Sequence, residues 1–360
     1  MYNHLRKLDW TLIVVVLLLS GAGLLTIYGI GSPESLVYLK KQAIFLGLGF
    51  FSMIGLSFFD YRVFKNHSSV LVILYLLSLA SLVFVLFFQE IRGASSWFRL
   101  GPLRFEPIEF VKIVMILFLA KYFSLRHIEL YRFRHLIVSG FYIGLLAAMV
   151  FIQPDFGSAI VLCAVWLGIV MISGIKIRQL IILLLIMTIF LIGSWFVVLQ
   201  DYQKQRILTF LNPQDDPYGG GYHISQSLIA IGSGGIFGQG TETASQAGLK
   251  FLPEQHTDFI FATLAEQRGL FGASLLLILF ALMFWRMIKI ALTSSNNFSR
   301  LFASGLAVMI FTQVIINIGM NIAIMPVTGL TLPFVSYGGS SLVSIFIGLG
   351  ILQSIKVRSY

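Results

Sequence analysis

Residues 11–30 read TLIVVVLLLSGAGLLTIYGI, a run of twenty residues without a charged side chain. A helix of about 20 apolar residues is long enough to cross the hydrocarbon core of a bilayer, which is about 30 Å thick. Similar runs recur along the 360 residues, of which 58% are hydrophobic and 11% are charged. A soluble domain of this size cannot bury so much apolar surface. The sequence therefore predicts an all-α protein, a polytopic bundle of transmembrane helices.

Ten spans are predicted from the apolar runs. The first run is too long for a signal peptide and no small-residue cleavage site follows it, so we expect a retained helix. The predicted spans cover about 10–30, 42–60, 68–88, 106–123, 136–153, 155–174, 178–200, 258–290, 300–324 and 338–356.

The distribution of lysine and arginine predicts the orientation of the bundle, because these residues are enriched in cytoplasmic loops. With the N-terminus inside, 15 of the 25 Lys and Arg residues fall on the cytoplasmic side, two lie within spans and eight lie outside. An even number of spans returns the C-terminus to the cytoplasm. The net charge of +10 is spread over short loops, so it does not indicate a nucleic-acid partner.

One connection is much longer than the others. Residues 201–257, between spans seven and eight, form an extracytoplasmic loop within what we interpret as a single transmembrane domain, 1–360. Loops of this length are commonly functional or disordered. The mixture of apolar residues with Gly, Pro and Asn favours an ordered segment that lies partly in the membrane. We find no convincing internal repeat, which weakens the interpretation as an inverted-repeat transporter.

Asp258 stands out in the segment LPEQHTDFIFATLAEQRG, residues 252–269. An ionised carboxylate within hydrocarbon costs roughly 2.5 kcal/mol or more, so such a residue is a candidate for function. The alternative is a favourable charge at a helix N-terminus, which contributes about 0.3–1 kcal/mol. The crowding of Glu254, His256 and Thr257 around the same point favours a polar site.

Two further groups of polar residues lie on the predicted outer side. Glu109 and Lys112 are spaced i,i+3 and so share one helical face, where opposite charges offset each other's burial. Whether this pair only positions helices or takes part in catalysis stays open from the residues alone. Asp155 and Ser158, in QPDFGSA, suit the start of a helix, and we expect Asp155 to be a cap.

The segment MPVTGLTLPFVSYGGSS, residues 325–341, contains two prolines and three glycines. Such a backbone at membrane depth is tolerated only against protein or a water-filled cavity. We therefore expect a polar cavity that opens to the outside. The six histidines are scattered and no residue cluster matches a metal site, so we expect no protein-held metal.

Three segments together resemble one family: NPQDDPYGGGYHISQSLIAIGSGG (212–235), FLPEQHTDFIFA (251–262) and MPVTGLTLPFVSYGGSS (325–341). They are similar to the SEDS family of shape, elongation, division and sporulation proteins. The residue patterns of the first two segments are closer to those of RodA-like members than to those of FtsW-like members. The resemblance extends from about residue 9 to 354 in one register, and several long motifs in order make it specific.

The resemblance implies a peptidoglycan glycosyltransferase of the bacterial cytoplasmic membrane. Such enzymes polymerise lipid II, an undecaprenyl-pyrophosphate disaccharide-pentapeptide, on the extracytoplasmic face, in this branch for cell elongation and rod shape. It implies that Asp258 is the essential residue and that Glu109 and Lys112 match a family motif. It also implies a class B penicillin-binding protein, a transpeptidase, as the partner. Glu106 and Gln239 depart from the family pattern, which has Gln and commonly Lys there.

The chemistry of glycosyl transfer suggests roles for these residues. We expect Asp258 to act as general base on the acceptor hydroxyl, with inversion at the donor sugar. The leaving pyrophosphate needs cations, and a divalent ion, Mg²⁺ or Mn²⁺, is left open as an assistant. The candidates for contacts with substrate or pyrophosphate are Arg206, Lys250, Arg99, Arg104, His256, Ser336 and Ser340.

Two other functions fit the same residues. A lipid II flippase would also need broken helices and intramembrane charges. A non-catalytic scaffold of a cell-wall synthase complex would need only an interface. Polymer made from lipid II in detergent, where the two sides of a membrane do not exist, distinguishes the enzyme from both.

Overall fold

The computed structural model describes residues 2–87, 97–100, 103–126, 133–197, 199–216, 219–240 and 254–359. Within these ranges the chain forms fourteen α-helices and one short β-hairpin. The helices are α1 (Tyr2–Arg6), α2 (Trp10–Gly29), α3 (Pro33–Phe58), α4 (Arg62–Asn66), α5 (Ser68–Val85), α6 (Pro107–Leu125), α7 (Phe133–Ile152), α8 (Phe156–Ile172), α9 (Ile177–Val197), α10 (Asp201–Leu211), α11 (Gly220–Ser233), α12 (Ile260–Leu292), α13 (Asn297–Asn321) and α14 (Gly339–Arg358). Strands β1 (Phe98–Leu100) and β2 (Leu103–Phe105) pair antiparallel.

The predicted polytopic helical fold is confirmed. Eight of the described helices are long and apolar enough to cross a membrane: α2, α3, α5, α7, α9, α12, α13 and α14. The charged helix α6 and the shorter apolar helix α8 occupy the fourth and sixth predicted spans. The second span begins at Pro33 rather than at 42, because Ser32 caps the helix by accepting a hydrogen bond from the Ser35 amide. Lys40 and Lys41 therefore lie within α3.

Most of α14 is buried, whereas α9 exposes most of its described apolar side chains. Helix α14 packs against α3, α6 and α13 and forms the centre of the bundle. Exposed Leu, Ile and Phe residues on the outer helices are suited to contact lipid tails. The chain is thus a multi-pass membrane protein whose apolar surface faces outward around a central helix.

Helix α12 is broken near its start. Gly269 has φ 64° and ψ −165°, a conformation open to glycine that interrupts the helical hydrogen bonds. The amides of Leu270 and Phe271 donate instead to the carbonyls of Gly235 and Ile236, at 2.9 and 3.0 Å. The turn after α11 therefore satisfies the break in α12, as backbone at membrane depth requires, and fixes part of the large loop against the bundle.

The end of the bundle opposite this loop is held by a buried ion pair. Arg286 of α12 donates to both carboxylate oxygens of Asp9, from Nε at 3.1 Å to each and from Nη2 at 2.5 Å to Oδ2. Asp9 also caps α2 through the Leu12 amide, and its own amide donates to Gln353 Oε1 of α14 at 2.9 Å. Asp9 thus joins α2 and α12 through its carboxylate and α14 through its backbone.

Replacing Arg286 by Met should destabilise this end, because the Asp9 side chain is 0% exposed and would be left as an unpaired buried charge. Breaking such a pair costs about 3–5 kcal/mol, and we expect the low end because Arg286 is itself partly exposed. The measurement is the thermal melting midpoint in detergent. The control is Arg300→Met, which removes an exposed arginine at the same end. Equal melting of the two variants would contradict the interpretation.

Candidate active site

The backbone just before α12 is held by the segment that precedes α14. The carbonyl of His256 accepts a hydrogen bond from the Tyr337 amide at 2.8 Å. The carbonyl of Thr257 accepts one from Ser336 Oγ at 2.6 Å, and the same hydroxyl accepts from the Leu332 amide at 2.8 Å. Two segments that are not helical at this depth therefore satisfy each other's polar groups.

The next carbonyl, that of Asp258, is held from α13. Asn317 Nδ2 donates to it at 3.1 Å and Asn321 Nδ2 donates at 2.9 Å. Asn317 also donates to the Leu330 carbonyl at 2.7 Å, and Asn321 Oδ1 accepts from the Ala262 amide at 3.0 Å. Three consecutive carbonyls, 256–258, thus have partners within the protein, and the backbone of Asp258 is fixed.

The Asp258 side chain is partly exposed and lies two residues before the first residue of α12. Its Oδ2 atom would be 3.9 Å from a β-carbon added to Gly329, which has φ +78° and is exposed. A residue with a side chain would be strained at that φ and would narrow this side of the carboxylate. The geometry leaves Asp258 beside an open glycine at the start of a helix, where a negative charge is favourable.

Glu109 and Lys112 form a buried ion pair at the start of α6. Lys112 Nζ lies 2.8 Å from Glu109 Oε1, and the side chains are 0% and 6% exposed. Glu109 Oε2 has no hydrogen-bond partner among the described residues. Glu106, one turn earlier, interacts electrostatically with both, and also with Asp155 and Asp258. Lys112 is therefore the counter-charge of Glu109 in a region where the carboxyl groups of Glu106, Asp155 and Asp258 also lie.

Asp155 has the capping role expected for it. Its Oδ1 accepts a hydrogen bond from the Ser158 amide at 3.0 Å, at the first turn of α8. This contact satisfies one of the free amides at the helix start. The capping prediction is confirmed, and the negative charge of Asp155 lies on the same side of the bundle as Asp258.

An aromatic cluster borders the site. The rings of Tyr38 and His256 stack with centroids 4.0 Å apart and an interplanar angle of 18°. Tyr337 meets Tyr38 edge-on at 4.9 Å. All three side chains are partly exposed. This cluster joins α3, the segment before α12 and the segment before α14, so the candidate residue His256 lies in the wall of the site.

The loop helix α11 covers one edge of the site. The His223 ring lies 6.4 Å from the ring of Phe259, the residue after Asp258. Burial lowers the pKa of His223 below its usual value, although the Asp216 carboxylate opposes this shift. Ser227 Oγ donates to the Asn321 carbonyl at 2.7 Å, which ties α11 to the end of α13.

The other candidates are placed as follows. The hydroxyl of Ser340 accepts a hydrogen bond from the Glu106 amide at 3.1 Å, and that of Ser336 bonds the backbone on both sides. Arg206 is exposed on α10. Only the backbone of Arg99 and Arg104 is described, in β1 and β2, and Lys250 lies outside the described residues. Their contacts with substrate stay predictions.

Within the part of the chain that the structure describes, no group of three or more His, Cys, Asp or Glu side chains could hold a metal ion. Mg²⁺ is commonly bound by one or two carboxylates together with substrate phosphates. The assistance of a divalent ion therefore stays a prediction, and no protein group is assigned to it.

Sequence reasoning missed the residues that hold the site. Asn317 and Asn321 are fully buried, as is Gln42, whose Nε2 donates to the Ser336 carbonyl at 2.9 Å. A signal was present, because Gln313, Asn317 and Asn321 recur every four residues in an otherwise apolar helix. Polar residues on one face of a spanning helix point toward the protein interior.

Comparison with known proteins gives consistent matches. Residues 6–360 match the family model FTSW_RODA_SPOVE, described as "Cell cycle protein". The chain is 36% identical over 352 residues to "Peptidoglycan glycosyltransferase MrdB" of Escherichia coli K12, covering 98% of this chain and 94% of the relative. It is 35% identical to "Stage V sporulation protein E" of Bacillus subtilis, covering 97% and 96% of the two chains.

Solved structures give the same match over almost the whole chain. A chain of a peptidoglycan synthase complex, described under "Structural coordination of polymerization and crosslinking", has a TM-score of 0.84 at 32% identity, covering 98% of both chains. The crystal structure of the rod shape determining protein RodA of Thermus thermophilus has a TM-score of 0.72 at 32% identity, also covering 98% of both chains.

Replacing Lys112 by Ala should damage this region, because Glu109 would remain buried without its counter-charge. The expected cost is about 3–5 kcal/mol of stability, seen as a lower melting midpoint in detergent. The double variant Lys112→Met, Glu109→Gln should recover part of the loss. Lys40→Ala, which removes an exposed lysine, is the control. Melting and turnover unchanged in Lys112→Ala would refute the expectation.

Proposed function

This chain belongs to the FtsW, RodA and SpoVE family of cell cycle proteins, and on that premise we propose that it is a peptidoglycan glycosyltransferase. The family prediction made from the HTDFIFA and related segments is confirmed. The glycosyltransferase prediction is confirmed as well, because relatives that match nearly the whole chain carry that name. The role in cell-wall synthesis follows from the same matches. We propose that this role is in elongation and rod shape, which the similarity to the rod shape determining protein RodA supports.

The observation that carries the assignment of the site is the geometry of Asp258. Its backbone carbonyl has two amide donors, its side chain is partly exposed, and Gly329 leaves space beside Oδ2. A general base needs a fixed position and access to its substrate. Among the acidic residues predicted for the site, Asp258 combines both, whereas Glu109 is buried in its pair with Lys112.

In the proposed reaction Asp258 accepts the proton of the GlcNAc 4-hydroxyl of one lipid II molecule. The freed oxygen attacks the anomeric carbon of the MurNAc at the end of the donor glycan. The bond to undecaprenyl pyrophosphate breaks, and that group leaves with the electron pair. Attack opposite the leaving group inverts the anomeric configuration from α to β.

The leaving pyrophosphate needs positive charge nearby, since charge-assisted contacts to phosphate are stronger than neutral ones. Arg206 on α10 is our first candidate, because it is exposed on the loop that covers this side. Lys250, Arg99 and Arg104 are the others. Lys112 is committed to Glu109, so we assign it to the shape and charge of the site rather than to the pyrophosphate.

We place this site on the extracytoplasmic side of the cytoplasmic membrane. The starts of α6, α8, α12 and α14 and the end of α13 meet at one end of the bundle, through contacts such as that of Glu106 with Ser340. The opposite end carries Asp9 with Arg286, and also Arg358, which is close to Asp60. The excess of Lys and Arg at that opposite end supports a cytoplasmic location for it.

The proposed partner is a class B penicillin-binding protein. The chain is similar to a subunit of a peptidoglycan synthase complex in which polymerization and crosslinking are coordinated. Crosslinking requires a transpeptidase beside the polymerase, which supports this class of partner.

Replacing Asp258 by Asn keeps the size of the side chain and removes the base. We expect polymer formation from purified lipid II in detergent to fall at least about 100-fold, the contribution typical of a general base. Asp215→Asn, which removes an exposed carboxylate from the loop, is the control and should polymerise normally. Native-rate polymerisation by Asp258→Asn would refute the mechanism. A native chain that moves lipid II across vesicles yet makes no polymer would favour a flippase.

A further inference from the structure

We propose that Asn317 and Asn321 of α13 are positioning residues, which hold Asp258 at a fixed distance from the backbone of residues 329–330. The inference rests on the proposed role of Asp258 as the base. It concerns how the carboxylate is held, and it gives both asparagines a role in the rate of the reaction.

Asn317 joins two segments through one amide nitrogen. Its Nδ2 donates to the Asp258 carbonyl at 3.1 Å and to the Leu330 carbonyl at 2.7 Å. An amide nitrogen carries two hydrogens, so each segment can receive one. Gly329, the residue before Leu330, lies beside Asp258 Oδ2. The Asn317 side chain therefore sets the width of the gap into which an acceptor hydroxyl must enter.

Asn321 joins Asp258 to the helix that follows it. Its Nδ2 donates to the Asp258 carbonyl at 2.9 Å, while its Oδ1 accepts from the Ala262 amide at 3.0 Å. Ala262 lies in the first turn of α12, where backbone amides have no partner within the helix. Phe259, at the N-cap position, supplies no side-chain cap. A residue of α13 thus caps α12 and fixes the base with the same amide group.

Fixing the backbone leaves the Asp258 carboxylate only its own side-chain torsions. A general base must come within about 2.6–3.2 Å of the atom whose proton it takes. A displacement of about 1 Å can lower a rate by about 100-fold. Asn317 and Asn321 are both 0% exposed, so neither side chain is open to the substrate. Their loss should therefore lower kcat and leave the KM for lipid II nearly unchanged.

A purely structural role makes a different prediction, because both amides also satisfy buried backbone groups. In that case activity would fall only as far as the folded fraction falls. Gln313 provides a matched control one turn earlier on α13. It is 1% exposed, and its Oε1 has no hydrogen-bond partner among the described residues. Gln313→Leu removes a buried amide from the same helix face without touching Asp258.

The experiment uses the purified full-length chain in detergent with lipid II as substrate. For Asn317→Leu and Asn321→Leu we expect kcat to fall at least about tenfold, with KM within about twofold of native. Gln313→Leu should keep native kcat. Asn321→Gln keeps both the donor and the acceptor and displaces them by one methylene, so it should lose less stability than Asn321→Leu and still lower kcat. This variant decides the question if the leucine variants do not fold.

The proposal is overturned if folded asparagine variants keep native kcat, or if activity falls only in proportion to the folded fraction. Asp258→Asn, measured in parallel, separates this result from the proposed function. Native-rate polymerisation by Asp258→Asn would overturn the role of the base and this inference with it. An inactive Asp258→Asn beside fully active asparagine variants would overturn the positioning role alone.

Discussion

The site depends on one constraint, which is that backbone amides and carbonyls within a membrane protein must find partners inside the protein. The chain leaves helical structure before α12 and again between α13 and α14. These two irregular segments pair with each other through Ser336 and Tyr337, and Asn317 bonds to both. The same hydrogen bonds that satisfy the backbone fix Asp258. One set of contacts therefore both satisfies the buried backbone groups and fixes the position of the proposed base.

The charged side chains at the two ends of the bundle differ in how they are paired. At the end that we propose to be cytoplasmic, the Asp9 side chain is fully buried and bonds Arg286 through both oxygens. At the other end Lys112 pairs with Glu109, while the carboxyl groups of Glu106 and Asp155 lie near Asp258. An excess of carboxylates is costly unless water, protons or cations reach it. The end with Asp9 and Arg286 holds the helices together, whereas the end with Asp258 keeps a group of carboxyl side chains at the candidate site.

The positions of the spans could be predicted because hydrocarbon thickness sets the length of each apolar run. The Glu109–Lys112 contact and the Asp155 cap followed from spacing within one helix. The asparagines of α13 were not predicted, since their partners lie in segments 59 and 63 residues away along the chain. The start of α3 at Pro33 was missed as well, because its first turns carry Lys40 and Lys41 beyond the apolar run. Contacts between distant segments depend on how the helices pack, and neither the composition nor the periodicity of the sequence determines that packing.

The most direct test of the account is the accessibility of residue 258 from outside the cell. Cys163 is the single cysteine of the chain, so Asp258→Cys in a Cys163→Ala background provides one thiol at the site. A membrane-impermeant thiol reagent added to intact spheroplasts should label it, whereas Ser295→Cys, between α12 and α13, should be labelled only after permeabilisation. Labelling of residue 258 that requires permeabilisation, or that never occurs, would contradict a carboxylate open to the extracytoplasmic side.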